Sequence, residues 1–233
     1  MKRLSLNMDL GELPGESEEL YSIATRVNIA CGGHAGDRAS MERALVLARR
    51  AGATVAAHPS YPDRAGFGRT SMGIAADELE RSLHDQMASL VEVSEEIGVS
   101  IIAVKPHGAL YHDVAKSAEI AKSLIFAVGL VFQTQVRLVG PPRGVLIDLA
   151  ANHSYEREAF ADRAYLPDGS LVPRSQPGAL ITDPGLAAAQ AVRLALLGEF
   201  DTLCVHGDTP GAVEIARAVR QALKDADLLE RLS

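Results

Sequence analysis

Ile101-Ile102-Ala103-Val104-Lys105-Pro106-His107-Gly108 is the stretch that decides the fold. A short apolar run of strand-forming residues stops at a cation, a proline, an imidazole and a glycine. The pattern recurs along the chain. Leu4–Met8 ends in Asp9-Leu10-Gly11-Glu12, and Val27–Ala30 ends in Cys31-Gly32-Gly33-His34-Ala35-Gly36-Asp37. Thr54–Ala57 ends in His58-Pro59, Val136–Val139 in Gly140-Pro141-Pro142, and Glu158–Phe160 in Ala161-Asp162-Arg163. Thr202–Val205 ends in His206-Gly207-Asp208. In a parallel α/β fold all strand C-termini point one way, so these groups would share one face, as in enzyme barrels.

Helical patterns separate the runs. Ala39–Ala51 places Met41, Ala44, Leu45 and Ala48 on one face before Gly52. Asp77–Ile97 carries a stripe of Leu79, Leu83, Met87, Leu90 and Val91 before Gly98. Ser117–Phe132 is more apolar, as expected of a helix covered by its neighbours. Gly144–Ala151, Pro184–Leu197 and Pro210–Leu223 complete the set, with Asp183 and Thr209 as expected N-caps. Strands alternating with helices predict parallel βαβ units. No GxGxxG follows the first strand, and each strand end differs in its chemistry, which favours a seven-stranded β/α barrel over an open sheet. The reading is one domain over residues 1–233, with the Gly/Pro-rich stretches 59–73 and 167–178 as active-site loops.

Composition bounds the function. The 233 residues are 47% hydrophobic and 23% charged, within the globular range. A net charge of −7 gives none of the basic excess that nucleic-acid binding needs. No run approaches the ~18 apolar residues of a membrane span, and the N-terminus reads as a strand rather than a signal peptide. A cytoplasmic enzyme with a small-molecule substrate is expected. Cys31 and Cys204 have no metal-ligand spacing and are expected as packed, reduced thiols.

The chemistry-bearing candidates lie at the strand ends. His34 stands among three glycines just before a helix, where backbone can approach an anion. His58 precedes a loop that contains Arg64 and Arg69, either able to meet a carboxylate or phosphate. Lys105 closes an apolar strand, so burial should depress its pKa and suit it to charge stabilisation or proton transfer. His107 follows on the same side. His206 and Asp208 form an expected imidazole–carboxylate pair. Asp9 and Glu12 supply carboxylates, and Asp162-Arg163 an expected salt-bridged substrate contact. His84, His112 and His153 are expected at the surface. Neither a GxxxxGK[ST] phosphate loop nor HExxH occurs. Asp9, His34, His58 and His107 could still assemble a divalent metal site from separate strands.

The motif blocks resemble the LamB/YcsF family almost from end to end. They are Asn7 to Glu12, Asn28 to Asp37, Ala57-His58-Pro59, Gly66 to Arg69 and Lys105 to Tyr111. Phe160 to Tyr165, Leu171 to Arg174, Pro177-Gly178-Ala179 and Cys204 to Pro210 continue the series. The resemblance implies a seven-stranded barrel related to polysaccharide deacetylases. It also implies the role of the A-type subunit of a bacterial 5-oxoprolinase, an ATP-hydrolysing cyclic amidase that opens 5-oxo-L-proline to L-glutamate with partner subunits B and C. ATP is then the co-substrate. The implied catalytic set is Asp9, His34, His58, Lys105, His107, His206 and Asp208, and the substrate contacts are Glu12, Asp37, Arg69, Tyr111, Asp162 and Arg163. The chain departs from the family pattern in a short loop after Glu12 and in Gly33, where an aromatic is usual. Two other readings stand beside this one: a metal-dependent amidohydrolase or carbohydrate deacetylase acting alone, and a non-catalytic assembly subunit.

Overall fold

In a computed structural model that describes residues 2–132, 136–150 and 153–230, the chain closes a seven-stranded all-parallel barrel. The strands are β1 (Ser5–Leu10), β2 (Arg26–Ala30), β3 (Thr54–His58), β4 (Ile101–Val104), β5 (Arg137–Gly140), β6 (Tyr155–Phe160) and β7 (Thr202–His206). Each pairs with the next, and β7 closes on β1 with Asn7 opposite Cys204 and Asp9 opposite His206. All seven strand runs of the sequence reading are strands.

The helices are α1 (Glu19–Ile23), α2 (Arg38–Ala51), α3 (Ala76–Ile97), α4 (Gly108–Asp113), α5 (Ala118–Val131), α6 (Val145–Leu149), α7 (Pro184–Leu196) and α8 (Ala212–Asp225). None among the described residues is long and apolar enough to cross a membrane. α2 buries Met41, Ala44, Leu45 and Ala48 as its spacing predicts. α3 buries Leu79, Leu83, Met87 and Leu90 but continues through Val93, so the expected Val91 lies off the stripe. α5 packs through Ala121, Leu124, Ala127 and Val128, leaving Phe126 and Leu130 more than half exposed rather than covered. Asp183 caps α7 through the Leu186 N–H, but α8 starts later than expected, with Gly211 at its cap. Thr209 is instead drawn to Asp162, to which its hydroxyl donates at 2.8 Å. Of the predicted helix Gly144–Ala151, Ala151 lies outside the described residues. α1 and α4, of five and six residues, were not expected.

The strand residues divide cleanly by parity. Leu6, Met8 and Leu10 of β1, Val27 and Ile29 of β2, and Leu203 and Val205 of β7 face the helices and join the main apolar core. The alternate residues face inward and are polar. Ser5 Oγ donates to Thr202 Oγ1 at 2.7 Å. Asn7 donates to Glu158 at 2.9 Å and to Thr202 at 2.8 Å, and Asn28 donates to Asn7 and Asp9, each at 2.7 Å. At the N-terminal end of the barrel Arg26 forks onto Glu156. Two small apolar groups fill part of the interior, Ala56, Ala103 and Val139 in one and Tyr111, Phe160 and Cys204 in the other. A buried polar network of this kind is stable only when its members satisfy one another.

Lys105 lies at the centre of the network. Its ammonium is 2.8 Å from Asp9 Oδ1 and 2.9 Å from Glu158 Oε1, and it also reaches Asn7 Oδ1 and Cys204 Sγ at 3.2 Å. Removing one member of a buried ion cluster strands the others, which typically costs about 3–5 kcal/mol. Lys105→Met should therefore lower the urea unfolding free energy by about that amount, and a loss below about 1 kcal/mol would show that the network is not structural.

Candidate active site

The C-terminal ends of the strands open into one cavity of about 440 Å³. Asp9, Glu12, His58, Lys105 and His107 line its inner part. Over this floor four groups converge: Glu12 from the loop after β1, His34 from the loop after β2, His58 at the end of β3, and His107 at the start of α4. One ligand atom from each lies within 4.8 Å of all the others. Glu12 Oε1 is 2.9 Å from His34 Nε2, 3.2 Å from His107 Nδ1 and 3.7 Å from His58 Nε2. His34 and His107 stack face to face with ring centres 3.6 Å apart.

Backbone carbonyls set the histidine tautomers. His58 Nδ1 donates to Lys105 O at 2.7 Å, and His107 Nε2 donates to Phe67 O at 3.0 Å. Each ring therefore turns its other nitrogen inward, and these two nitrogens face one another at 3.0 Å. If both rings are neutral, two lone pairs meet beside a carboxylate, an arrangement that calls for a shared cation. Histidines anchored by a backbone carbonyl on the outer nitrogen are typical of metal ligands. Tetrahedral bonds of ~2.0–2.1 Å would place such ligand atoms about 3.3 Å apart, within the spread seen here. Glu12, His34, His58 and His107 thus fit a divalent metal, whereas Asp9, placed in the expected ligand set, is committed to Lys105 and Asn28.

Charge sorts these groups. Burial would raise the Asp9 carboxyl, but His58 and Lys105 outweigh it and hold the group well below its usual range. Burial likewise opposes ionisation of Glu12, but its contacts with His107 and His34 outweigh burial and hold the carboxyl well below its usual range. Burial pushes the His34 imidazole down to about 4 and lowers His107 as well, so both are neutral near pH 7. Lys105 reverses the sequence expectation. Burial alone would depress it, but Asp9 leads the negative neighbours that raise its pKa well above the ordinary lysine value. It is a fixed charge, not a base.

His206 pairs with Asp162 rather than Asp208, its Nδ1 lying 3.0 Å from both carboxylate oxygens. Burial opposes the charge on His206, yet Asp162 raises its pKa. Asp208 instead takes Arg69 and Arg174, the latter at 2.7 Å, so it ties two loops across the cavity mouth. Arg163 forms no salt bridge with Asp162, because that carboxylate is spent on His206 and Thr209. Tyr111 is buried against Phe160 and Cys204, and its hydroxyl has no protein partner among the described residues. Asp37 lies outside the cavity and caps α2 through the Ser40 N–H. Arg64 is structural, donating to the Gly32 and Gly36 carbonyls. Both cysteines are buried and free.

The loop 59–73 packs tightly over the cluster. Gly68 sits at φ +63°, and a Cβ there would lie 2.9 Å from His34 Cβ. A Cβ on Gly33 would meet Gln86 Oε1 and Ser60 Oγ at 2.4 Å. Gln86 of α3 fills that space and bonds the Ser60 backbone N–H and C=O. This is the local reason the chain needs glycine at position 33. Three site contributors escaped the sequence reading: Asn28, Glu158 and Arg174. The alternation Asn7/Asp9, Arg26/Asn28 and Glu156/Glu158 carried the signal for the first two; nothing local marks Arg174.

Comparison with known proteins places this geometry. The model of the LamB/YcsF family matches residues 4–231. The chain is 41% identical to a 5-oxoprolinase A-type subunit of Pseudomonas syringae pv. tomato, with 97% of this chain and 95% of that protein covered. It is 40% identical to the 5-oxoprolinase A-type subunit of Carboxydothermus hydrogenoformans, with 98% and 96% covered. The crystal structure of a lactam utilization protein from Thermus thermophilus superposes with a TM-score of 0.91 at 36% identity, over 99% of this chain and 100% of that one. A family 4 carbohydrate esterase from Streptomyces lividans shares the fold alone, with a TM-score of 0.55 at 11% identity over 98% of this chain and 91% of that one. A match of this extent means that the chain belongs to the LamB/YcsF family.

Proposed function

We propose that this chain is the A-type subunit of a cytoplasmic 5-oxoprolinase, which opens the lactam of 5-oxo-L-proline to L-glutamate at the expense of ATP together with partner subunits B and C. One observation carries the reading: Glu12, His34, His58 and His107 converge above the Asp9–Lys105 pair in one cavity. The names of relatives about 40% identical over nearly their whole length support the substrate.

A lactam amide is a weak electrophile. ATP activates it by phosphorylating the carbonyl oxygen; water adds to that carbon, the ring C–N bond breaks as nitrogen takes a proton, and a second water cleaves the resulting acyl phosphate to the glutamate carboxylate and inorganic phosphate. His206, whose pKa the Asp162 carboxylate raises, is the general acid for that nitrogen. The ionised Glu12 accepts the proton of the attacking water through the carboxylate oxygen that does not face the histidines. Lys105 acts indirectly, because its ammonium is already shared among Asn7, Asp9, Glu158 and Cys204; it fixes Asp9 beside His58 Nε2 at 3.4 Å. Glu12, His34, His58 and His107 would hold a divalent cation, which when bound would polarise the carbonyl or acidify a water. The same donor set favours a second reading, a metal-dependent amidohydrolase active without partners.

The chain mixed with subunits B and C, ATP and 5-oxoproline should release glutamate. Turnover that needs neither ATP nor partners would support the second reading, and no turnover by a folded complex would sink the first. His206→Gln should lower kcat by about 10²–10⁴-fold while the circular-dichroism melt stays cooperative.

Because the folded pKa of His206 is raised, the stability its charge contributes is full below its unfolded pKa of ~6.5 and is lost as pH rises through the folded value. The alkaline limb of the kcat profile should therefore move to lower pH in Asp162→Asn, and an unmoved limb would exclude His206 as the acid. Elemental analysis of protein purified without chelator should find about one zinc or manganese per chain, lost in Glu12→Gln. A metal-free protein with full activity contradicts the metal assignment.

A further inference from the structure

Arg163 is a buried cation with nothing opposite it. It follows β6, is 6% exposed, and lines the cavity. Nε donates to Ala179 O at 3.3 Å and Nη2 to Val172 O at 2.8 Å, and neither acceptor is charged. Arg163 forms no ion pair among the described residues. Asp162 next to it is taken by His206 and Thr209, and Asp208 is taken by Arg69 and Arg174.

Its surroundings on the cavity wall carry more cations than anions: Lys116, Arg69 and Arg174 line the same cavity, against Asp113 and Asp208, and Asp208 is shared by the two arginines. Burial and then the like charge of Arg174 lower the Arg163 pKa, while burial, Arg163 and Lys116 in that order lower His112. The floor is different. There Lys105 is outnumbered by Asp9, Glu158 and the ionised Glu12. The cavity is thus bipolar, with an acidic reactive end and a cationic wall.

A buried guanidinium without a counter-ion is costly unless a ligand completes it. We propose that Arg163 is the anion receptor of this cavity, binding the carboxylate of a small carboxylic acid whose reactive group lies toward the Glu12–His58–His107 end. With the proposed function, on which this assignment rests, the carboxylate is that of 5-oxoproline and Arg163 is the residue that distinguishes it from an uncharged lactam. The fork geometry of arginine suits a carboxylate in two parallel hydrogen bonds.

Binding to the full chain by isothermal titration tests this with three ligands: 5-oxoproline, its carboxamide, and inorganic phosphate. The wild type should bind 5-oxoproline at least about tenfold more tightly than the carboxamide, as expected for a charge-assisted pair. Arg163→Gln keeps a donor for the Val172 carbonyl but removes the charge, and it should bind the two alike. Arg163→Lys should retain part of the preference. Equal binding of both ligands by the wild type overturns the assignment and needs no variant. An undiminished preference in a folded Arg163→Gln also overturns it, and so does binding of phosphate without binding of 5-oxoproline. Glutamate release by the wild-type complex reports separately on the proposed function: discrimination that vanishes in Arg163→Gln without any glutamate release leaves the receptor standing and that function rejected.

Discussion

The Lys105 ammonium, enclosed by Asp9 and Glu158 on the barrel axis, is the interaction on which the rest depends. Three strands meet at it, β1 through Asp9, β4 through the stem that precedes Pro106, and β6 through Glu158. The lysine is held charged against its burial by these neighbours, Asp9 first, and in turn it helps to keep Asp9 ionised. The cost of burying so many polar groups is offset in large part by mutual bonding through Asn7, Asn28 and Thr202, although Asn28 Oδ1 and Glu158 Oε2 have no hydrogen-bond partner among the described residues. This arrangement exchanges some stability for a rigid floor. The active groups stand on strands whose interior faces cannot slip without breaking it.

From that floor the site is assembled by backbone contacts. The carbonyl of Lys105 itself orients His58, and the Phe67 carbonyl orients His107. The central ion cluster and the histidine cluster are therefore mechanically one unit. Farther out, Asp208 bridges Arg69 and Arg174 and so joins the loops after β3 and β6 over the opening. Because each loop is anchored by a charge on a third element, ligand access is coupled to how those pairs part.

The fold was legible because strands and helices each present an apolar face to the same shell, and that periodicity survives in the sequence. The helices α1 and α4 were not, being one to two turns long with no side-chain cap. Asp9, Glu12, His34, His58 and His107 were legible as strand-end groups, although not who pairs with whom. Asp208 sits two residues from His206 in sequence, yet the imidazole turns to Asp162, from a neighbouring strand end. Pairing across a barrel is set by register and closure, which leave no trace in local spacing. The direction of the Lys105 shift failed for the same reason. Burial was foreseen, but its two carboxylate neighbours come from strands 96 residues before and 53 after.

The most direct test of the account is the position of the lactam itself. A crystal structure of the chain soaked with 5-oxoproline should place the ring carbonyl at the Glu12–His58–His107 end of the cavity, with Asp9 and Lys105 unmoved beneath it. A lactam bound with its carbonyl away from that cluster, or bound elsewhere on the barrel with this cavity empty, would contradict the account.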